Sequence, residues 1–195
     1  MSPNSPLLAD REELWGEVQE ALADNMQATE HYLAAAAADP HRPGPPRRLA
    51  ELYSTKKEWK EAARWMEQYT SIEPEATGHE LALLADYYMA GFELDKALAM
   101  LKTSLEKDPY TFLARLNLAR LFEKQKQADD AIEQYEYMMH YAFDRDPDIY
   151  VKLVNLYKAK GDKAKKIREV LSRGHRLYPK DMPIYRLYRE AFGID

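Results

Sequence analysis

The sequence predicts an all-α fold: a solenoid of stacked helix hairpins, closed at its C-terminal end by a capping helix. Three observations carry this. Within residues 78–109, Leu81, Leu84, Ala85 and Tyr88 recur at helical spacing, the chain breaks at Ala90-Gly91, and Leu94, Ala97, Leu101 and Leu105 form a second apolar stripe that stops before Pro109. The landmarks then repeat, with Ala62 to Ala97 spanning 35 residues, Ala97 to Ala131 34, and Pro74 to Pro109 35. A period of that size marks a solenoid rather than a single closed core. Finally, Pro74, Pro109 and Pro179 fall after apolar stripes rather than inside them, and Gly91 and Gly161 fall between stripes.

Taken in order, Met1 to Leu8 contains Pro3 and Pro6 and reads as irregular. Asp10 is placed to cap a first helix whose apolar face would be Leu14, Trp15, Val18 and Leu22, with Glu12 and Glu13 in its first turn. A second helix runs from about Gln27 to Ala38, and its alanine run at 34–38 lets a neighbouring helix come close. The proline-rich segment 41–46 is a stiff turn.

Leu49, Ala50 and Tyr53 open the first clear hairpin, followed by Trp59, Ala62, Met66 and Tyr69. After the unit at 78–109, a third carries Leu118, Ala119 and Phe122, then Ala128, Ala131, Tyr135 and Met138. Phe143 stands where its closing proline would be and Pro147 comes four residues later, which predicts a second helix extended by part of a turn. The fourth unit has Tyr150, Leu153 and Tyr157, a turn at Gly161-Asp162, then Ile167, Leu171, Gly174 and Leu177 before Pro179. A last amphipathic helix over 183–192 turns Ile184, Leu187, Tyr188 and Phe192 inward and covers the end of the stack. Ala50, Ala85 and Ala119 are expected at the closest approach within each hairpin, where a larger side chain would cost roughly 1–3 kcal/mol by overpacking.

The Leu-Ala pair with an aromatic three residues on, the alanine in the second helix and the closing Asp108-Pro109 resemble a tetratricopeptide (TPR) repeat. The resemblance implies a right-handed α-solenoid. It divides the chain into an N-terminal helix pair at 1–42, a degenerate cap with Gln19 in the aromatic place; four repeats at 43–77, 78–110, 111–146 and 147–181; and a capping helix at 182–195. In this family the first helix of each hairpin lines a concave groove that binds extended or helical peptide segments. Carried over by position, that groove would present Arg47, Arg48, Glu51, His79, Leu83, Asp86, Met89, Asn117, Arg120, Glu123, Lys124, Lys152, Asn155 and Lys158. The clamp by which some members hold a C-terminal carboxylate is echoed by Asn117 with Arg120 and Lys152 with Asn155. It is broken by Leu83, Asp86 and Leu116, which stand where polar or basic groups are needed.

No chemistry-bearing motif competes with this reading. The five histidines lie in no metal or nucleophile motif, and no glycine-rich phosphate loop occurs. Asp144, Asp146 and Asp148 have the spacing of a calcium loop, but Pro147 interrupts it and Ile149 and Asn155 occupy the turn-glycine and final-ligand places, so the cluster reads as a solvated helix start. Asp129-Asp130 likewise opens a helix, and the lysine run 158–166 is a solvated face. The expectation is therefore no catalytic residue, no metal and no cofactor. No apolar run approaches the roughly 18 residues of a membrane-spanning helix, Met1–Leu8 lacks the basic start and apolar core of a secretory signal, and the lack of cysteine fits a reducing compartment, so a cytoplasmic location is expected.

The net charge of −5 conceals a gradient. Residues 1–40 hold eight acids and one base, whereas 148–195 hold twelve bases and six acids. Ends of opposite sign suggest a polarised groove or head-to-tail self-contact. Arg120, Lys124, Lys152 and Lys158, opposed by Glu123, predict an acidic ligand segment at the C-terminal half. The leading functional expectation is a scaffold that binds a protein or peptide. The alternatives are an accessory domain of a larger enzyme or membrane-associated assembly, and an RNA-binding repeat; the negative charge and the absence of a repeated base-reading pair count against the last.

Overall fold

The computed structural model describes residues 5–141, 146–161 and 164–194. All regular structure among them is helical. Five hairpins pair α1 (Pro6–Ala21) with α2 (Asn25–Ala38), α3 (Gly44–Thr55) with α4 (Trp59–Ile72), α5 (Gly78–Ala90) with α6 (Leu94–Lys107), α7 (Phe112–Lys124) with α8 (Ala128–His140), and α9 (Asp148–Lys160) with α10 (Ala164–Leu177); α11 (Met182–Phe192) follows. The helices group into two compact units, residues 1–109 and 110–195. Within each, every helix packs on its neighbours in sequence, and α11 also reaches α9.

The repeat is recorded in the backbone itself. Ala23 (φ 58°), Lys57 (60°), Phe92 (64°), Lys126 (60°) and Gly161 (71°) occupy the left-handed region, one in each hairpin turn. They are 34 or 35 residues apart. The first helix pair therefore turns in the same phase as the others, although its side-chain landmarks are degenerate. Four of the five positions hold a residue with a Cβ, which is strained there. Phe92 is also 85% exposed, so its ring contributes little packing to set against that strain. Phe92→Gly should stabilise the chain by about 0.5–1 kcal/mol, the relief of left-handed strain less the greater unfolded-state entropy of glycine. Chemical unfolding of the two proteins checks the sign.

Packing follows the expected logic at the hairpin contacts. Ala50, Ala85 and Ala119 are fully buried. The helix starts are held locally: Asp24 and Asp181 accept the backbone N–H of Gln27 and Ile184, and Thr77 forms a reciprocal capping box with Glu80. Between hairpins a tyrosine of the first helix donates to a glutamate of the preceding second helix, Tyr88 to Glu67 and Tyr157 to Glu136. In each case a lysine completes the set: Lys96 lies 5.1 Å over the Tyr88 ring and 3.9 Å from Glu67, and Lys166 lies 5.2 Å over Tyr157 and 3.3 Å from Glu136. These buried phenols have their partners, as buried polar groups require.

Several expectations are corrected. α1 begins at Pro6, in the first helical position where a missing N–H is harmless, with Ser5 rather than Asp10 at the N-cap. Asp10 instead pairs with Arg42. The apolar residues of α1 do not face the core: Leu14, Trp15, Val18 and Leu22 are 46–70% exposed. α1 buries the opposite, small-residue face, Ala9 and Gly16, because the fully buried Tyr32 ring of α2 lies against it. A Cβ on Gly16 would come within 2.6 Å of that ring. α8 is not extended; it ends at His140 with 13 residues, and Phe143 and Asp144 lie outside the described residues, as does Asp162. Asp146 accepts the Asp148 N–H at 3.0 Å, which ties that acid to the start of α9. In α11, Ile184 is buried and Leu187 and Tyr188 half-buried, but Phe192 is 37% exposed because the helix ends there and its ring stacks with Tyr188 and under Arg168 instead.

Candidate functional site

The first-helix faces are the candidate surfaces, and each unit is described by itself. In the N-terminal unit an ion pair links α3 to α5. Arg47 is 3.6 Å from both Glu51 on its own helix and Glu80 on α5, and its guanidinium sits 5.9 Å over the Tyr69 ring. Arg48 pairs with Glu51 at 3.1 Å and reaches Glu20 on α1. Burial pushes the Glu80 carboxyl up, but hydrogen bonds from Tyr69 and Thr77 and the Arg47 charge outweigh it and hold the group below the ordinary range. Tyr69 is correspondingly raised to about 12, by burial first and then by its bond to Glu80. His79 is exposed, and Leu83 and Asp86 are half-buried. Met89, carried over as a groove residue, is instead buried. Arg47 and Arg48 together offset Glu51 and Glu80, so this face offers mixed rather than single-sign charge.

In the C-terminal unit, α7 and α9 supply the cations. Arg120 and Lys124 stand one turn apart on α7, and both are exposed. Lys152 on α9 reaches back to Glu123 at 2.9 Å, and Glu123 also accepts the Tyr135 hydroxyl. Burial and that glutamate together drive the Tyr135 phenol far above its ordinary value. Lys158 pairs with Glu190 of α11 at 2.9 Å. Lys152 and Asn155 line a groove of about 330 Å³ with Glu123, Asp148, Val151 and Leu156. Two of the four expected free cations are thus engaged by carboxylates.

Asn117 is a second correction. It is fully buried, and neither its amide nitrogen nor its amide oxygen has a hydrogen-bond partner among the described residues, so its side chain does not meet solvent on the α7 face. Its neighbours Leu116 and Leu118 are buried too, so this stretch of α7 is packed around much of its circumference. Among the described residues no group of three His, Asp or Glu side chains is placed to hold a metal ion, and no helix is long and apolar enough to cross a membrane.

Helix hairpins turning every 34 or 35 residues, packed through buried alanines, define a helical-repeat protein. The fold is that of the tetratricopeptide repeat proteins. It matches MamA with a TM-score of 0.78 at 16% identity, covering 89% of this chain and 93% of the other. It matches YrrB, a TPR protein with an unusual peptide-binding site, with a TM-score of 0.71 at 16% identity, covering 90% and 89%. The first TPR of Spaghetti (RPAP3), bound to the HSP90 peptide SRMEEVD, matches over 65% of this chain and 99% of its own, with a TM-score of 0.56 at 17% identity. No family model matches the sequence, and no curated relative matches it by sequence comparison.

Proposed function

We propose that the chain is a non-catalytic scaffold that holds an extended or helical peptide segment of a partner protein on its first-helix faces, and that the segment is acidic where it meets α7 and α9. The observation that carries this reading is the pair Arg120 and Lys124, exposed one turn apart on α7 and standing on the same helix as Glu123 at the rim of the α7–α9 groove. Peptide binding by two fold neighbours, one of them with an acidic peptide, supports the class of ligand. On the N-terminal unit, Arg47, Glu51, His79, Leu83 and Asp86 would contact the less charged remainder.

Lys152 and Lys158 are poor places to test it, because reversing either would set two carboxylates together at Glu123 or Glu190. Arg120→Glu with Lys124→Glu leaves those pairs intact. The probe is a fluorescein-labelled acidic heptapeptide, beside its counterpart with glutamine for glutamate. Exposed charge contacts are individually worth 0–1 kcal/mol, so the double reversal should weaken the acidic peptide by roughly ten- to thirtyfold, with a shallower salt dependence. Equal binding of both peptides, binding of neither, or an unchanged affinity in the reversed protein would overturn the acidic-ligand reading.

A further inference from the structure

The outward face of α1 is a surface with no role in the peptide-binding reading, although its Trp15 ring stacks with His31 of α2 at 6.2 Å. Leu7, Leu14, Trp15, Val18 and Leu22 are 46–71% exposed, and at 100° per residue they fall in one stripe about 100° wide and ~22 Å long. A stripe of that width ordinarily faces a core, and as an exposed patch it marks an interaction site. The tight fit of Gly16 to Tyr32 fixes α1 with this side outward, so the stripe is presented on a held helix. Arg11 lies within the stripe, bound to Glu12, and Asp10 and Glu13 are paired with Arg42; the segment 1–40 as a whole is nonetheless acidic, with eight acids against that one base.

The opposite chemistry lies at the other end of the chain. Lys165, Arg168, Arg173 and Arg176 recur along one side of α10 and, with Glu169 and Ser172 of the same helix and Phe192 of α11, line a groove of about 540 Å³, four cations against one acid that lies 4.0 Å from Lys165. Arg168 is fixed there, donating to the Ala191 carbonyl at 3.0 Å and lying 5.6 Å over the Phe192 ring. The groove walls are therefore long aliphatic stems and a ring below a cationic rim, a surface that accepts an apolar helix flanked by carboxylates.

We propose that the α1 face of one copy docks into the α10–α11 groove of a second copy, a head-to-tail contact between unlike surfaces. Charge complementarity between the two ends selects this occupant over a like-with-like α1 pairing, which would bring two acidic segments together. The contact is only about one helix long, well below the area of a permanent interface, so the association is weak and concentration-dependent. Being heterologous, it leaves a free head and a free tail on every dimer.

Sedimentation velocity over a concentration series tests it. The wild-type protein should pass from monomer to dimer and larger species, and added salt should shift it back. Leu14→Gln with Val18→Gln blocks the head, and Lys165→Glu with Arg176→Glu blocks the tail. All four positions are exposed, and circular dichroism confirms that each variant folds. Each variant alone should raise the dissociation constant by about tenfold or more. Mixed together, the head-blocked and tail-blocked proteins should form a one-to-one dimer that grows no further, because one free head and one free tail remain to meet. A wild-type protein that stays monomeric at every concentration overturns the proposal. So does a tail-blocked variant that still dimerises with itself, which would mean α1 pairs with α1, and so does a mixture that yields no dimer.

Discussion

Replacing Leu153 with alanine should cost about 2–5 kcal/mol, the range for removing a buried leucine where the surroundings cannot collapse. Leu153 is fully buried on α9, within a cluster that draws Ala119 from α7, Ile132, Tyr135 and Met138 from α8, Ile167, Val170 and Leu171 from α10, and Ile184 from α11. A void there is shared by all five helices of the C-terminal unit. Their backbones are also pinned: Gly174 lets the Tyr150 ring lie where a Cβ would be 3.0 Å away, so α10 cannot slide inward to fill the space. An 86-residue unit has on the order of 4–13 kcal/mol in total, so the loss is a large fraction. Chemical unfolding with hydrogen exchange checks both size and place. Amides of α7–α11 should lose protection, and those of α1–α6 should keep theirs. A loss below 1 kcal/mol would mean that the cluster is looser than its burial implies.

How much of this was legible in the sequence depended on which residues carried the information. The hairpins were readable because Ala50, Ala85, Ala119 and the closing prolines recur in phase. The face that α1 buries was not. Periodicity identifies where the apolar stripe lies on a helix but not whether a neighbour covers it, and here Ala9 and Gly16 made the closer fit to Tyr32. The signal that could have found it was Gly16 itself, a glycine inside the helix on the side away from the apolar stripe. The left-handed turn residues were hidden for the opposite reason, since four of the five carry side chains that do not announce that conformation.

At the candidate site, position in the repeat placed Arg120, Lys124, Lys152 and Asn155 on exposed first-helix surface. It could not reveal that Lys152 meets Glu123 or that Lys158 meets Glu190, pairs separated by 29 and 32 residues and set by how successive helices pack. Asn117 misled because its place in the repeat was carried over as a groove position, whereas the helix wheel sets it beside the buried Ala114 and Leu121.

Raising the pH should destabilise the protein from about pH 10 upward, more steeply than one tyrosine could account for. Tyr69 is raised from 10.0 to about 12, and Tyr32, Tyr88 and Tyr135 are raised further, in each case by burial first and then by donation to a glutamate. A phenol whose folded value lies above its unfolded one favours the folded chain while it is protonated. That contribution is fully present below pH 10 and is lost as pH rises through the folded value. For Tyr69 the two-unit separation corresponds to a loss on the order of 2–3 kcal/mol between pH 10 and 12. The other three continue the slope beyond that interval, because an ionised phenolate would face Glu20, Glu67 or Glu123 at hydrogen-bond distance in a site with little water. Glu80 acts in the opposite direction: its folded value is depressed, so its contribution is present above the ordinary glutamate range and fades as pH falls through the folded value. The measurement is the urea midpoint against pH. Tyr69→Phe should lose stability at pH 7, since the ring stays but Glu80 forfeits a donor, and should show a shallower fall from pH 10 to 12. An alkaline limb with the same slope in wild type and variant would mean that Tyr69 titrates as freely in the folded chain as in the unfolded one.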